Sequence, residues 1–287
     1  NIDYFCFEKY YKLFVSLVKT KTNMKFKSFH SNKFLEDEEG YKDNVYSGAR
    51  NILKYWKWDL SDIGSGKIIK SVSSTMDIDN NNLVDWRLKD NFKEKAKNTN
   101  LLHDYEKTFY NLYRNKKPDD KCFNELIDYF GRNYELIAYL FFIKDKTQYM
   151  PISPNNFDKA FNKLVVQNFR TSYNCNWDNY CQYNDLLIQI KELLIQKEIK
   201  DVTLLNAHSF VWIIREIEEE LNQNNVEYES LLNDLSDYKK LDQKSKESII
   251  KSRIGQGRFR DVLLKYWGKS SVTGCKQYDI LIASHIK

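Results

Sequence analysis

Residues that stop or cross-link a chain are few. The sequence has three prolines, Pro118, Pro151 and Pro154, in 287 residues, so long helices meet few obligatory breaks. Five cysteines, Cys6, Cys122, Cys175, Cys181 and Cys275, are odd in number and include no C-x-x-C pair. Their spacing therefore supports neither a disulfide framework nor a zinc knuckle, and a reducing, cytoplasmic setting is expected. Long apolar runs are missing too. Leu13–Val18 is six residues long and lies between Lys12 and Lys19, far short of the roughly 20 that a membrane span needs. No membrane association and no secretory leader are expected. Strand-like alternation is scarce before residue 250, and no repeat of fixed period is found.

What the sequence does contain is a balance of 42% hydrophobic and 30% charged residues with 15% aromatics. That is the composition of a soluble globular protein, and the length allows one large or two ordinary domains. Helical periodicity dominates. Tyr105, Phe109, Leu112 and Tyr113 fall at i, i+4, i+7 and i+8, and Tyr183, Leu186, Leu187, Ile190, Leu193 and Leu194 continue one face. Phe210, Ile213, Ile214, Ile217 and Leu221 form a third stripe, with Asn206 as its N-cap. Further helices are expected at 46–57, 66–77, 83–97, 121–143, 155–166 and 226–251. Met150-Pro-Ile-Ser-Pro154 is the best boundary. It divides a helical subdomain over 1–150 from a second over 151–250.

The texture changes after residue 251. Phe259, Val262, Leu263, Tyr266 and Trp267 make a last amphipathic helix closed by Gly268. Ser270–Thr273 and Tyr278–Ile286 then alternate with period two around the turn Gly274-Cys-Lys-Gln277. The expected fold class is therefore mainly α, a multi-helical region followed by a β-hairpin near 270–286. Charge changes as well: residues 251–287 carry eight Lys and Arg against Asp261 and Asp279, a net of +6, while the preceding 250 residues sum to −1. Three of the nine arginines, Arg253, Arg258 and Arg260, fall within eight residues. Guanidinium suits bidentate phosphate recognition, so the cluster points to a polyanion partner; from charge alone an ordinary solvated helix is the alternative.

Arg253-Ile-Gly-Gln-Gly-Arg-Phe-Arg260, Leu263-Leu264, Tyr266, Ser270-Ser-Val-Thr-Gly-Cys275 and Ala283-Ser-His-Ile-Lys287 resemble the entry to the nuclease domain of bacterial HNH endonucleases of restriction type. Those proteins read R-x-G-Q-x-x-F-R, an L-L and aromatic helix, C-x-V-T-G-C and a strand ending A-S-H-I-K-P. Several spaced elements match in order over about 35 residues. More loosely, Tyr149–Pro154, Phe157-Asp158, Cys175-Asn-Trp177, Asn179 and Ala207-His-Ser-Phe-Val-Trp212 look like the helical region that precedes that domain.

The resemblance implies that 251–287 begins a ββα-metal nuclease module in which His285 is the general base that deprotonates water. One Mg²⁺ or Mn²⁺ would neutralise charge at a scissile phosphodiester. Arg253, Gln256, Arg258, Arg260 and Lys287 become the expected contacts to double-stranded DNA, Gln256 reaching a base or a sugar. Two positions depart from the pattern. Ser284 stands where many HNH sites place Asp or another metal ligand, and Ser270 stands where relatives often have Cys, so a structural zinc is not expected. The chain opens on Asn1 and stops at Lys287 within an apolar strand, which suggests a fragment at both ends. The metal ligands, with the Asn and final His or Asp of the motif, are then expected downstream of Lys287, and 1–287 alone is expected to bind DNA without cutting it. The alternative is a helical DNA-binding or regulatory protein without catalysis. Oligomeric state is open, a homodimer being one option.

Other motifs are weaker. Ile63-Gly-Ser-Gly-Lys67 has Ser61 where a P-loop needs its first Gly and Ile68 where Ser or Thr should bind Mg²⁺, so Gly66 is expected only to break the chain ahead of a helix. Gly255-Gln-Gly257 lacks the third Gly and the preceding strand of a dinucleotide site. Pro118-Asp-Asp-Lys121 reads as a loop with an N-cap, and Glu36-Asp-Glu-Glu39 as a solvated face. His208 is expected to be a satisfied core or capping histidine.

Overall fold

The structure is a computed structural model that describes residues 2–30 and 32–223. Over them run twelve α-helices: α1 (Tyr4–Thr22), α2 (Lys33–Glu39), α3 (Tyr41–Leu53), α4 (Lys67–Thr75), α5 (Trp86–Ala96), α6 (Leu102–Tyr113), α7 (Asp119–Phe130), α8 (Tyr134–Lys144), α9 (Pro154–Lys163), α10 (Trp177–Gln196), α11 (Leu204–Ile214) and α12 (Ile217–Gln223). The described residues are thus mainly helical, with an isolated parallel bridge between Ser28 and Lys200. None of these helices is long and apolar enough to cross a membrane. The helix expected at 226–251 and the hairpin expected at 270–286 lie outside the described residues.

The helices assemble around α8, in which every residue except Glu135 is buried. A helix apolar on all sides can only sit inside a bundle. Its neighbours reach it with tyrosine hydroxyls. Tyr113 of α6 donates to the Leu140 carbonyl at 3.1 Å and Tyr180 of α10 donates to Ala138 at 3.3 Å, while Tyr139 of α8 donates to Thr75 of α4 at 2.8 Å. Each bond lets a large ring be buried without stranding its polar atom. One hydrophobic cluster extends from Ile2 to Leu221, closed by Phe7 and Phe14 of α1 against Phe210 of α11, with ring centroids 5.6 and 5.2 Å apart.

Several helices differ from the sequence reading: α1 and α2 were not expected, and the helix expected at 46–57 is α3 at Tyr41–Leu53. The single helix expected at 121–143 is two, α7 and α8, because Gly131 takes φ +85° and Asn133 Nδ2 donates to the Phe130 carbonyl at 2.7 Å. Asn206 is the third helical residue of α11, not its N-cap: Thr203 caps, receiving Asn206 N–H at 3.2 Å and donating its own N–H to Asn206 Oδ1 at 2.8 Å. The stripe from Phe210 to Leu221 is split at Arg215 and Glu216 between α11 and α12.

Candidate functional site: a cleft beside a buried lysine and histidine

His285, Arg253, Gln256, Arg258, Arg260 and Lys287 all lie outside the described residues. The separate middle segments of the sequence, by contrast, converge. Met150–Ile152 passes between α10 and α11, where Tyr180 donates to the Met150 carbonyl at 2.9 Å and Tyr183 to the Pro151 carbonyl at 2.7 Å. Phe157 of α9 packs on His208 at 4.8 Å and on Trp212 at 6.2 Å between centroids. Asp158 accepts Thr171 and Ser172 N–H at 2.7 and 3.0 Å, which fixes the loop ahead of Cys175. Its burial opposes ionisation, but these bonds outweigh that cost and hold its pKa below the ordinary carboxylate value.

At the centre of this convergence lies a charged cluster. Lys42 of α3 is 1% exposed, ion-paired with Glu39 at the end of α2, and its Nζ is 3.0 Å from His208 Nδ1. The other imidazole nitrogen, Nε2, lies 3.0 Å from the Pro151 carbonyl. A carbonyl only accepts, so the proton sits on Nε2 and Nδ1 accepts from the ammonium. Burial, then the charge of Lys42, hold the His208 pKa well below 6.5. Burial also lowers the Lys42 pKa, against the opposing pull of Glu39. Gly40 makes the α2 to α3 corner possible: a Cβ there would stand 2.5 Å from the Glu36 carbonyl oxygen.

The cluster borders a cavity of about 70 Å³ that also touches Tyr41, Glu135 and Trp212. That space suits water rather than a cofactor, since drug-sized ligands take about 300–1,000 Å³. Glu135 and Ser153 also line a wider groove of about 520 Å³ bordered by Arg132, Asn155, Asn156 and Tyr173. Burial raises the Glu135 pKa, while Asp85 N–H donates to its carboxylate at 3.3 Å. With both its nitrogens engaged, His208 orders Lys42 and the Pro151 turn and is not free to act as a base, in keeping with the core histidine expected from sequence.

Sequence reasoning missed Lys42 and Glu39. The run Glu36-Asp-Glu-Glu39 is a solvated face only in part: Glu36, Asp37 and Glu38 are exposed, whereas Glu39 is buried because Lys42 pairs with it. Also missed was Glu106, fully buried on α6. Its Oε2 accepts Gly64 and Gly66 N–H at 2.7 and 3.1 Å, and its Oε1 accepts Ile69 N–H at 3.0 Å. The P-loop-like turn therefore presents its amides to the protein's own carboxylate, and Gly66 at φ +85° leads directly into α4. Pro118-Asp-Asp-Lys121 opens α7, where Asp119 receives bonds from Lys144 and from the Tyr149 hydroxyl at 2.6 Å.

No family model, no curated protein and no solved structure matches this chain.

Proposed function

We propose that the protein is a DNA endonuclease of HNH type, serving restriction or defence, whose helical body holds the substrate while the 251–287 segment bears the catalytic base. The observation that carries this reading is the ordered run of spaced elements from Arg253 to Lys287, with three arginines inside eight residues. His285 takes the proton of an attacking water, a new P–O bond forms, and the bond to the leaving sugar oxygen breaks. Imidazole suits that role because its ordinary pKa near 6.5 leaves it largely neutral at cellular pH. Arg253, Arg258, Arg260 and Lys287 neutralise phosphates of double-stranded DNA, and Gln256 reaches a base or sugar edge. A divalent cation, Mg²⁺ or Mn²⁺, is the cofactor of this reading and supplies charge neutralisation at the scissile phosphate when bound. Among the described residues no group of three or more His, Cys, Asp or Glu side chains could hold it.

A second reading, a helical DNA-binding or regulatory protein without catalysis, is favoured by Ser284 in the place of the Asp that many HNH sites carry. Incubating the whole gene product with duplex DNA and Mg²⁺ or Mn²⁺ separates the two. Metal-dependent strand cleavage supports the endonuclease; tight binding that leaves the DNA intact supports the second reading.

A further inference from the structure

Between α3 and α4 the chain turns a corner at Lys54–Lys57 that is anchored on one side and bare on the other. Lys54 takes a left-handed φ of +43° and Lys57 N–H closes the turn on the Lys54 carbonyl at 2.8 Å. Trp58 is buried, and Tyr55 stacks on Tyr113 of α6 at 5.6 Å. Trp56, between these anchors, is 48% exposed, and Leu60 beyond them is 72% exposed.

The corner is also cationic. The Arg50 guanidinium lies 4.7 Å from the Tyr55 ring and 5.6 Å from the Trp56 ring, and its NH1 donates to the Lys144 carbonyl at the end of α8 at 3.3 Å. Arg114 NH1 donates to the Trp56 carbonyl at 3.1 Å, and Arg114 Nε is buried with no hydrogen-bond partner. Lys54, Lys57 and Lys116 are exposed. Among the described residues Arg50, Lys54, Lys57, Arg114 and Lys116 form no ion pair, unlike Lys117 or Lys144 close by, which pair with Glu125 and Asp119. Asp59, the acid nearest in sequence, is engaged by Ser61 N–H at 2.9 Å.

An exposed indole with a guanidinium beside its ring and exposed lysines at positions 54 and 57 of the same turn has the chemistry of a stacking platform with phosphate contacts. We propose that this corner binds single-stranded DNA, with a base stacked on Trp56 and flanking phosphates held by Lys54 and Lys57. The proposal rests on the DNA reading above and adds a second contact to the one read from Arg253–Arg260 in the sequence.

The test titrates a short labelled single strand into the whole gene product across a series of salt concentrations. It is repeated for Trp56→Ala, Trp56→Phe, Lys54→Gln with Lys57→Gln, and Arg253→Ala with Arg258→Ala and Arg260→Ala. Trp56→Ala should weaken single-strand binding by about five- to a hundredfold, with Trp56→Phe restoring most of it. The double lysine variant should lower the slope of log affinity on log salt by about 1.4, at roughly 0.7 per contact. Circular dichroism of each variant checks that the fold is kept; the side chains of Lys54, Trp56 and Lys57 are exposed. Unchanged binding in the Trp56 and lysine variants, with loss in the triple arginine variant, would overturn the corner and leave the DNA reading standing. Polyglutamate binding that equals single-strand binding and ignores Trp56→Ala would assign the corner to an acidic protein instead. Absence of all DNA binding by the unaltered protein would overturn both proposals.

Discussion

At the scale of single residues, the buried titratable groups make measurable claims. His208 has its pKa pushed well below 6.5 by burial and by Lys42. Above 6.5 neither folded nor unfolded chain protonates it; below 6.5 the unfolded chain gains a proton that the folded one refuses. Stability is therefore lost as pH falls below about 6.5, by up to about 1.4 kcal/mol per pH unit for this one group. Urea melts of the parent and of His208→Gln should diverge in slope below that pH, and parallel curves would refute the assignment. Thiols offer a second check. Burial pushes both Cys122 and Cys175 up to about 12, so neither supplies a thiolate at neutral pH. Peptide mapping after iodoacetamide treatment should find both unmodified in the folded protein and modified in urea; rapid native labelling would contradict their burial. Lys42 was not legible in the sequence because its partner His208 lies 166 positions away, and a lysine beside an acidic run reads as surface.

At the scale of elements, legibility followed the number of faces a helix buries. In α6 and α10 one face meets the core, and the stripes Tyr105, Phe109, Leu112, Tyr113 and Tyr183 to Leu194 were visible as spacing and are buried. In α8 every face is covered, so period carries no information and only Gly131 marked its separation from α7. The α4 N-terminus depended on a residue 40 positions away: Glu106 accepts the N–H of the cap Gly66 and of Ile69 in the first turn, together with that of Gly64 just upstream. Glu106→Ala should cost about 2–4 kcal/mol in chemical denaturation, since it strands the buried Ile69 N–H and removes two further bonds to a carboxylate. A loss under about 0.5 kcal/mol would mean that water replaces the carboxylate.

At the scale of the whole molecule, the mainly helical character was legible although α1 and α2 were not marked as helices, while the cleft beside Lys42 was not legible, because α3, α8, α9 and α11 contribute to it from distant parts of the chain. The functional reading comes from the opposite source: local, ordered motifs between Arg253 and Lys287, outside the described residues. Its central claim is that His285 is the base of a phosphodiester hydrolase. The most direct measurement compares cleavage and binding of duplex DNA by the whole gene product and by its His285→Ala variant, with Mg²⁺ present. The expected result is cleavage by the parent, and none by a variant whose dissociation constant for DNA is unchanged. Cleavage by His285→Ala at the parent rate would place the active site elsewhere and contradict the nuclease assignment of the 251–287 segment.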